Sequence, residues 1–338
     1  MKLLQRVSPV TIFLSICAVY AAGFFAHAAY LHKTVYGDGA YYWAWLNLHP
    51  SKFPVGPALF WTPAYLLTHN QIVVGFTGVL ATLFSLLLLW NLLLKHFSKT
   101  VSIMTVAAIA GATNLLFYGS LDAVNSHALT FFAATVFLSL LYSRQKQWFA
   151  VGVSLGLLGL MRAQDMLYAI LLIPYLTKKN MFPIIAGALA GFFPQLLAWQ
   201  MTTGKFWVSP YLTGREGFNF LHPHVPGVLF GLRSGLFLWT PITLLATIGL
   251  FTKKRFYMLS VFFCELFVVA SWSTWWQGAS YSGRMFVSSL PLLAFGIAGI
   301  FSRLATYRFT QAYYLLTIIL PLTVLNITNI IYFLITLT

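Results

Sequence analysis

Only five carboxylates occur among the 338 residues of this chain, and one of them is set between two glycines. It is Asp38, in the stretch Tyr36-Gly37-Asp38-Gly39-Ala40-Tyr41-Tyr42-Trp43. Glycine lets the backbone bend and keeps no side chain in the way, so another molecule can come close to this carboxylate. The aromatic residues after it suit a helix lying along a membrane surface. Capping that helix is the other use an aspartate has here. The remaining acids are Asp122 in Gly119-Ser120-Leu121-Asp122, Asp165 in Arg162-Ala-Gln-Asp165, Glu216 and Glu265. Asp122 reads either as a second reactive acid or as the cap of a loop. Five cations fall in the same parts of the chain: Lys52, Arg162, Arg215, Arg233 and Arg284. Lys and Arg bind phosphate through charge-assisted hydrogen bonds. Arg233 and Arg284 each begin an apolar run near glycine, where they reach either a bound anion or, by snorkelling, lipid headgroups. Arg162 and Asp165 form a paired charge lining a cavity or a functional pair. His222-Pro223-His224, with His32, His49 and His69, has no spacing that matches a metal site. Trp272, Trp275 and Trp276 suit stacking on sugar rings or an aromatic belt at the membrane surface. Asn326-Ile327-Thr328 has the form of a glycosylation acceptor but lies within the last apolar run, where it carries no such meaning.

The elements that must position these groups are membrane-spanning helices. Hydrophobic residues make up 59% of the chain and charged residues 7%, against roughly 25% in a soluble protein. The net charge of +15 does not indicate nucleic acid, because the basic residues fall in short clusters between apolar runs rather than on one face. Cys17 and Cys264 both sit in apolar runs, which leaves no disulfide framework or zinc site. The first apolar stretch lacks a small-residue cleavage site and reads as a retained span. Taking about 20 residues per crossing, eleven spans are predicted, near 8–29, 71–94, 101–118, 127–142, 148–161, 166–177, 182–201, 231–251, 256–271, 285–302 and 311–335. One face receives thirteen basic residues and no acid: Lys2, Arg6, Lys95, Lys99, Arg144, Lys146, Lys178, Lys179, Lys253, Lys254, Arg255, Arg303 and Arg308. The positive-inside rule makes that face, with the N-terminus, cytoplasmic. Asp38, Asp122, Asp165 and Glu216 fall on the other face, and Glu265 within a span. Segments 148–161 and 166–177 are too short to cross independently, so they tilt, thin the bilayer or turn back around a water-filled cavity. The outer loops 30–70 and 202–230 are long and rich in Gly, Pro, His and aromatic residues. The prediction is a single all-α polytopic membrane domain over 1–338, with any chemistry in those loops and the cavity beneath them, and no separate soluble domain.

Several motifs carry a resemblance. An aspartate immediately after the first span, as at Asp38, resembles the hallmark of the GT-C glycosyltransferases, in the branch of the bacterial protein mannosyltransferases and aminoarabinose transferases. Lys52-Phe53-Pro54-Val55-Gly56-Pro57 resembles that branch's Lys-Pro element, and Ser126-His127-Ala128 its Ser-His element. Ser234-Gly235-Leu236-Phe237-Leu238-Trp239-Thr240-Pro241 and Tyr281-Ser282-Gly283-Arg284-Met285-Phe286 are similar to segments of bacterial members. The likeness follows most of the chain in order. It implies a GT-C bundle of about eleven spans with interfacial helices in the first outer loop, and a sugar carried on a polyprenyl phosphate. It further implies Asp38 as general base, Lys52 at the donor phosphate, Asp122 and His127 near the acceptor, and inversion at the sugar; Arg284, Arg233 and Arg162 are the further cations that the sequence offers for that phosphate. Ser51 stands where some relatives carry a metal-holding acid, so no metal or other cofactor is expected. The resemblance to bacterial members also implies the plasma membrane, with the site on the external face.

The implied chemistry makes physical use of these residues. An acceptor hydroxyl must lose its proton as it attacks the anomeric carbon, and a carboxylate within hydrogen-bond reach takes it. The leaving phosphate gains negative charge and needs fixed cations. The acceptor, whether lipid, glycan or protein, is left open. The alternative is a transporter or lipid flippase using Arg162, Asp165 and Glu265 at mid-membrane, or a scaffold without activity. Transporters commonly repeat an interrupted helix in two halves, and no second copy of the Gly-Asp-Gly loop occurs here. The enzyme reading requires Asp38, Lys52 and Arg284 to face one cavity.

Overall fold

A computed structural model describes residues 7–214, 216–307 and 310–336. Lys2, Arg6 and Arg308, used in the charge argument, and Arg215, one of the five candidate cations, lie outside the described residues. Among the described residues every regular element is helical, and the extended pairing is one isolated antiparallel bridge between Phe218 and Trp272.

The chain runs through α1 (Pro9–Leu31), α2 (Gly39–Leu46), α3 (Gly56–Thr68), α4 (Gln71–Leu94), α5 (Lys99–Ala112), α6 (Ser126–Leu141), α7 (Trp148–Met161) and α8 (Lys178–Thr203). It continues through α9 (Val225–Phe230), α10 (Leu236–Trp239), α11 (Ile242–Leu250), α12 (Phe256–Ser271), α13 (Leu290–Ala305), α14 (Gln311–Tyr314) and α15 (Leu320–Thr336). Among the described residues, four helices are long and apolar enough to cross a bilayer: α1, α4, α8 and the continuous stretch Leu315–Thr336. Shorter apolar helices α5, α6, α7 and α13 pack among them. α2 and α3 occupy the first long loop.

Several helix starts are set by small polar residues, because the first four amides of a helix lack partners and hydrocarbon supplies none. Ser8 accepts from the Thr11 amide at 3.0 Å ahead of Pro9, and Asn70 from that of Ile72 at 2.8 Å. Thr177 and Asn180 close a reciprocal capping box on α8. The most interior helix is α5, whose residues Val101 to Ala110 are all buried among α1, α4, α13 and α15. Its composition of alanine, serine, threonine and β-branched residues lets four neighbours approach closely.

Four predicted spans differ in detail. The stretch 101–118 leaves regular helix at Ala112, and a π-helical turn at Phe117–Leu121 follows. The stretch 231–251 is not one helix but α10 and α11, broken by extended backbone at Gly235 and by Pro241. Proline has no amide to continue the helical ladder, and Asn329 donates to the Trp239 carbonyl at 2.9 Å beside the break. The troublesome pair 148–161 and 166–177 divides at Arg162, where α7 ends and a 3-10 helix, Ala163–Tyr175, begins. At about 2 Å rise per residue a 3-10 helix reaches farther than an α-helix of equal length, which lengthens the second short segment.

α7 and α8 pack face to face along Gly152, Gly156, Gly187 and Gly191. A Cβ built on Gly156 would stand 2.8 Å from the Phe192 amide nitrogen, too close for the two backbones to keep their separation. Gly156→Val is therefore expected to destabilise the bundle by about 1–3 kcal/mol, read as a lowered thermal-unfolding midpoint in detergent. An unchanged midpoint would show that the α7–α8 contact tolerates a wider spacing.

Candidate active site

Asp38 sits in the turn between α1 and α2. The amides of Gly39, Ala40 and Tyr41 bond back to Tyr36, Gly37 and Asp38, and Gly37 takes a left-handed φ of 51° that suits glycine. The turn leaves the carboxylate free of capping duty, since its side chain caps nothing in α2. Instead Asp38 Oδ2 accepts from Arg284 Nη1 at 2.6 Å. Arg284 begins a short 3-10 turn before α13 and is mostly buried. Burial works against the Arg284 charge, but Asp38 and the neighbouring tyrosines outweigh it and its pKa is raised.

The loop carrying Arg284 is held from three sides. Tyr118 donates to the Tyr281 carbonyl at 2.9 Å, and Asn114 to the Gly283 carbonyl at 3.0 Å. Tyr281 OH donates to Asn326 Oδ1 at 2.5 Å, while the Asn326 amide bonds Gly111 and Thr113 carbonyls, each at 2.8 Å. Asn326 is thus the bracket that fixes the Arg284 loop to the end of α5. Its one signal in sequence is an amide inside an apolar run, where a polar group needs partners. Gln277 (φ 63°) and Ser282 (φ 49°) hold left-handed backbone on either side of the loop, a cost of about 1–3 kcal/mol for each such residue.

A cavity of about 460 Å³ opens beside this pair and is lined by Asp38, Lys52, Arg162 and Arg284 together. Lys52 Nζ reaches Glu216 Oε1 at 2.8 Å, joining the two long loops across the cavity. Arg162 Nη1 donates to His127 Nδ1 at 3.0 Å, and Nη2 meets the Met285 sulfur. An arginine only donates, so the facing imidazole nitrogen is an acceptor. His127 is buried behind the wall rather than in it, at the start of α6, where Tyr42 OH also donates to Ser126 Oγ at 2.9 Å. Arg233 is exposed and does not line the cavity. Among the described residues no three His, Cys, Asp or Glu side chains gather as a metal site would need.

Asp165 and Glu265 meet behind Gln164 and Met285. Ser288 Oγ lies 2.9 Å from Asp165 Oδ1 and 3.1 Å from Glu265 Oε1, and Gln164 Nε2 lies 3.3 Å from the latter. The Ser288 hydroxyl thus links the two carboxyl groups.

Asp122 is buried beside the cavity, receiving a 3.2 Å hydrogen bond from Asn125. Burial pushes its carboxyl up to about 8; the Asn125 bond opposes the shift and nearby Asp38 adds to it. From about pH 4 to about pH 8 the folded chain keeps a proton that the unfolded chain releases, so stability falls as pH rises through that window. The thermal-unfolding midpoint is expected to fall less steeply over that range in Asp122→Asn than in the wild type. Parallel profiles would show that Asp122 ionises freely in the folded protein.

Residues 49–199 match the family described as dolichyl-phosphate-mannose-protein mannosyltransferase. No curated protein and no solved structure matches the chain. The matched stretch holds Lys52, Asp122, His127, Arg162 and Asp165; Asp38 and Arg284 lie outside it and join it through the cavity. Over residues 49–199 the chain is thus similar to the protein mannosyltransferases, and this match supports a membrane glycosyltransferase of the GT-C type.

Proposed function

We propose that the chain transfers a sugar from a polyprenyl-phosphate donor to an acceptor hydroxyl, with inversion, and that Asp38 is the general base. The observation that carries this reading is the shared cavity of Asp38, Lys52, Arg162 and Arg284, residues up to 246 positions apart in sequence. Arg284 holds one carboxylate oxygen of Asp38, which orients the other toward the cavity to receive a proton. The acceptor hydroxyl gives that proton to Asp38 as its oxygen attacks the anomeric carbon. The bond from that carbon to the phosphate oxygen breaks, and the phosphate leaves with the electron pair. Attack opposite the leaving group inverts the centre.

Lys52 and Arg162 are the cations for the leaving phosphate. Lys52 is paired with Glu216 in the structure, so a phosphate binding there takes the place of that carboxylate. Arg284 acts chiefly as the residue that orients the base. Asp122 and His127 act behind the cavity wall, His127 through Arg162. Arg233, exposed away from the cavity, is left to contact lipid headgroups.

A lipid-borne donor is supported by an apolar groove of about 370 Å³ lined by Gly56, Phe60, Phe132, Leu157, Met161 and Pro194. Three of its residues lie within two positions of cavity residues along the chain: Gly56 of Pro54, Met161 of Arg162, Pro194 of Gln195. An isoprenoid tail in the groove would have its phosphate beside Arg162 and Lys52. The charge asymmetry of the loops supports an external face for the cavity and a cytoplasmic N-terminus, with about eleven crossings of a plasma membrane. The chemistry proposed needs no metal.

Transfer of radiolabelled sugar from membrane polyprenyl phosphates tests the assignment. Asp38→Asn, at matched expression, is expected to lose about 10²- to 10⁴-fold in rate while still binding undecaprenyl phosphate. Undiminished transfer would remove Asp38 from the role of base.

A further inference from the structure

The cavity has a second character that the donor does not use. Besides its charged residues it is lined by Trp199, Tyr211, Phe218, Trp272 and Trp276. These rings are held in place. The segment 217–224 is stitched to the end of α12 by main-chain bonds: Asn219 N to Ser271 O at 2.7 Å, Ser273 N to Gly217 O at 2.8 Å, and His224 N to Ala270 O at 2.8 Å. Phe218 and Trp272 pair across the resulting bridge, their rings 4.6 Å apart and edge to face, and Tyr211 meets Trp272 edge-on at 6.3 Å.

The three neighbouring tryptophans divide. Trp275 stacks on His224 at 4.7 Å and does not line the cavity, whereas Trp272 and Trp276 do. A membrane-surface belt accounts for Trp275 but not for rings turned into a cavity. The polar groups beside those rings include two neutral amides, while at one edge of the wall Lys52 Nζ lies 5.3 Å from the centre of the Tyr211 ring. Gln195 Oε1 accepts from the Val55 amide at 3.1 Å and Gln277 Oε1 from the Met285 amide at 3.0 Å. With each oxygen engaged, the orientation of each amide is set and its NH₂ is left over; that of Gln277 has no partner. Buried donors without partners are rare, and Gln277 also carries left-handed backbone.

We infer that this aromatic and amide wall is a subsite for a pyranose ring of the acceptor, so that the enzyme extends a carbohydrate rather than modifying a serine or threonine of a protein. The inference rests on the proposed function for the position of the reacting hydroxyl near Asp38, but the binding it describes does not require transfer. Flat apolar rings cover the C–H face of a sugar, and neutral amides serve its hydroxyls without the desolvation penalty of a charge. Of the two carboxylates lining the cavity, Asp38 is engaged by Arg284, and Glu216 by Lys52 until a phosphate takes its place. The donor sugar is the other source of a pyranose, and it must lie next to the cations that hold its phosphate. Phe218 and Trp276, by contrast, keep about two-fifths of their surface exposed (42% and 38%) and are open to a ligand that arrives without a lipid tail.

Saturation-transfer NMR on the full chain in lipid nanodiscs tests this, using a panel of methyl glycosides and disaccharides, undecaprenyl phosphate, and serine-containing peptides as separate probes. The wild type is expected to bind at least one saccharide. Trp272→Ala should weaken that binding about tenfold and leave undecaprenyl phosphate binding unchanged, with Trp272→Phe restoring most of the affinity. Trp275→Ala should change neither, and thermal unfolding of each variant in the same nanodiscs confirms that it is folded. The inference is overturned if no saccharide binds, if serine peptides bind and saccharides do not, or if folded Trp272→Ala binds saccharides like the wild type. It is also overturned if Trp272→Ala weakens only a sugar-loaded undecaprenyl phosphate, which would assign the ring to the donor sugar. Full transfer by Asp38→Asn would instead overturn the base assignment and leave the saccharide result standing.

Discussion

The ion pair between Asp38 and Arg284 is the contact on which the rest of the site depends. It closes a gap of 246 residues and joins the first helix of the chain to the entry of α13. Both charges are largely withdrawn from solvent, and taking either partner away would leave the other uncompensated, a large penalty where water is scarce. In the proposed reaction the pair also divides the work of the carboxylate, one oxygen held by arginine and the other receiving the proton of the acceptor. Much of the surrounding polar structure exists to keep the arginine there. Asn114, Tyr118 and Asn326 all bond to the loop that carries it, and two left-handed non-glycine residues bend that loop into position.

The membrane sets the second constraint. Backbone that leaves the helical ladder inside hydrocarbon must find other partners or line a cavity. The irregular stretches of this chain obey that rule. The turn at Arg162 and the loop 276–285 line the cavity, and the break near Pro241 is met by the Asn329 amide. Buried asparagines in apolar helices are otherwise costly, and here each one is matched to a carbonyl that a break has exposed. Irregularity and function therefore coincide: the helices stop where the cavity begins.

The two long loops differ in how they are held. The first folds as α2 and α3 and packs on the bundle, with Trp45 donating to the Phe53 carbonyl at 2.9 Å and Gln195 accepting from Val55. The second has little helix and is pinned by main-chain bonds to the end of α12 and by the Lys52–Glu216 pair. That pair is partly exposed and worth little by itself, so the fold does not hang on it.

Sequence alone determined the class of protein and most of the helix positions, and it singled out Asp38 as the candidate carboxylate. These are local properties: apolar runs long enough for a bilayer, basic clusters at their ends, and an aspartate isolated between glycines after the first run. The break at Arg162 was legible too, because a polar tetrapeptide interrupts two short apolar stretches. What the tertiary structure decided was company. That Lys52 pairs with Glu216, that Arg233 stands apart from the cavity, that Asp165 meets Glu265 through Ser288, and that Trp272 and Trp276 face inward while Trp275 does not all depend on contacts between distant segments. The division of 231–251 into two helices also escaped a reading by apolar length, because hydropathy does not register where proline and glycine interrupt a ladder. Hydrophobic patterning sorts residues between lipid and protein, but the direction a side chain takes inside a bundle is set by the helices that pack against it.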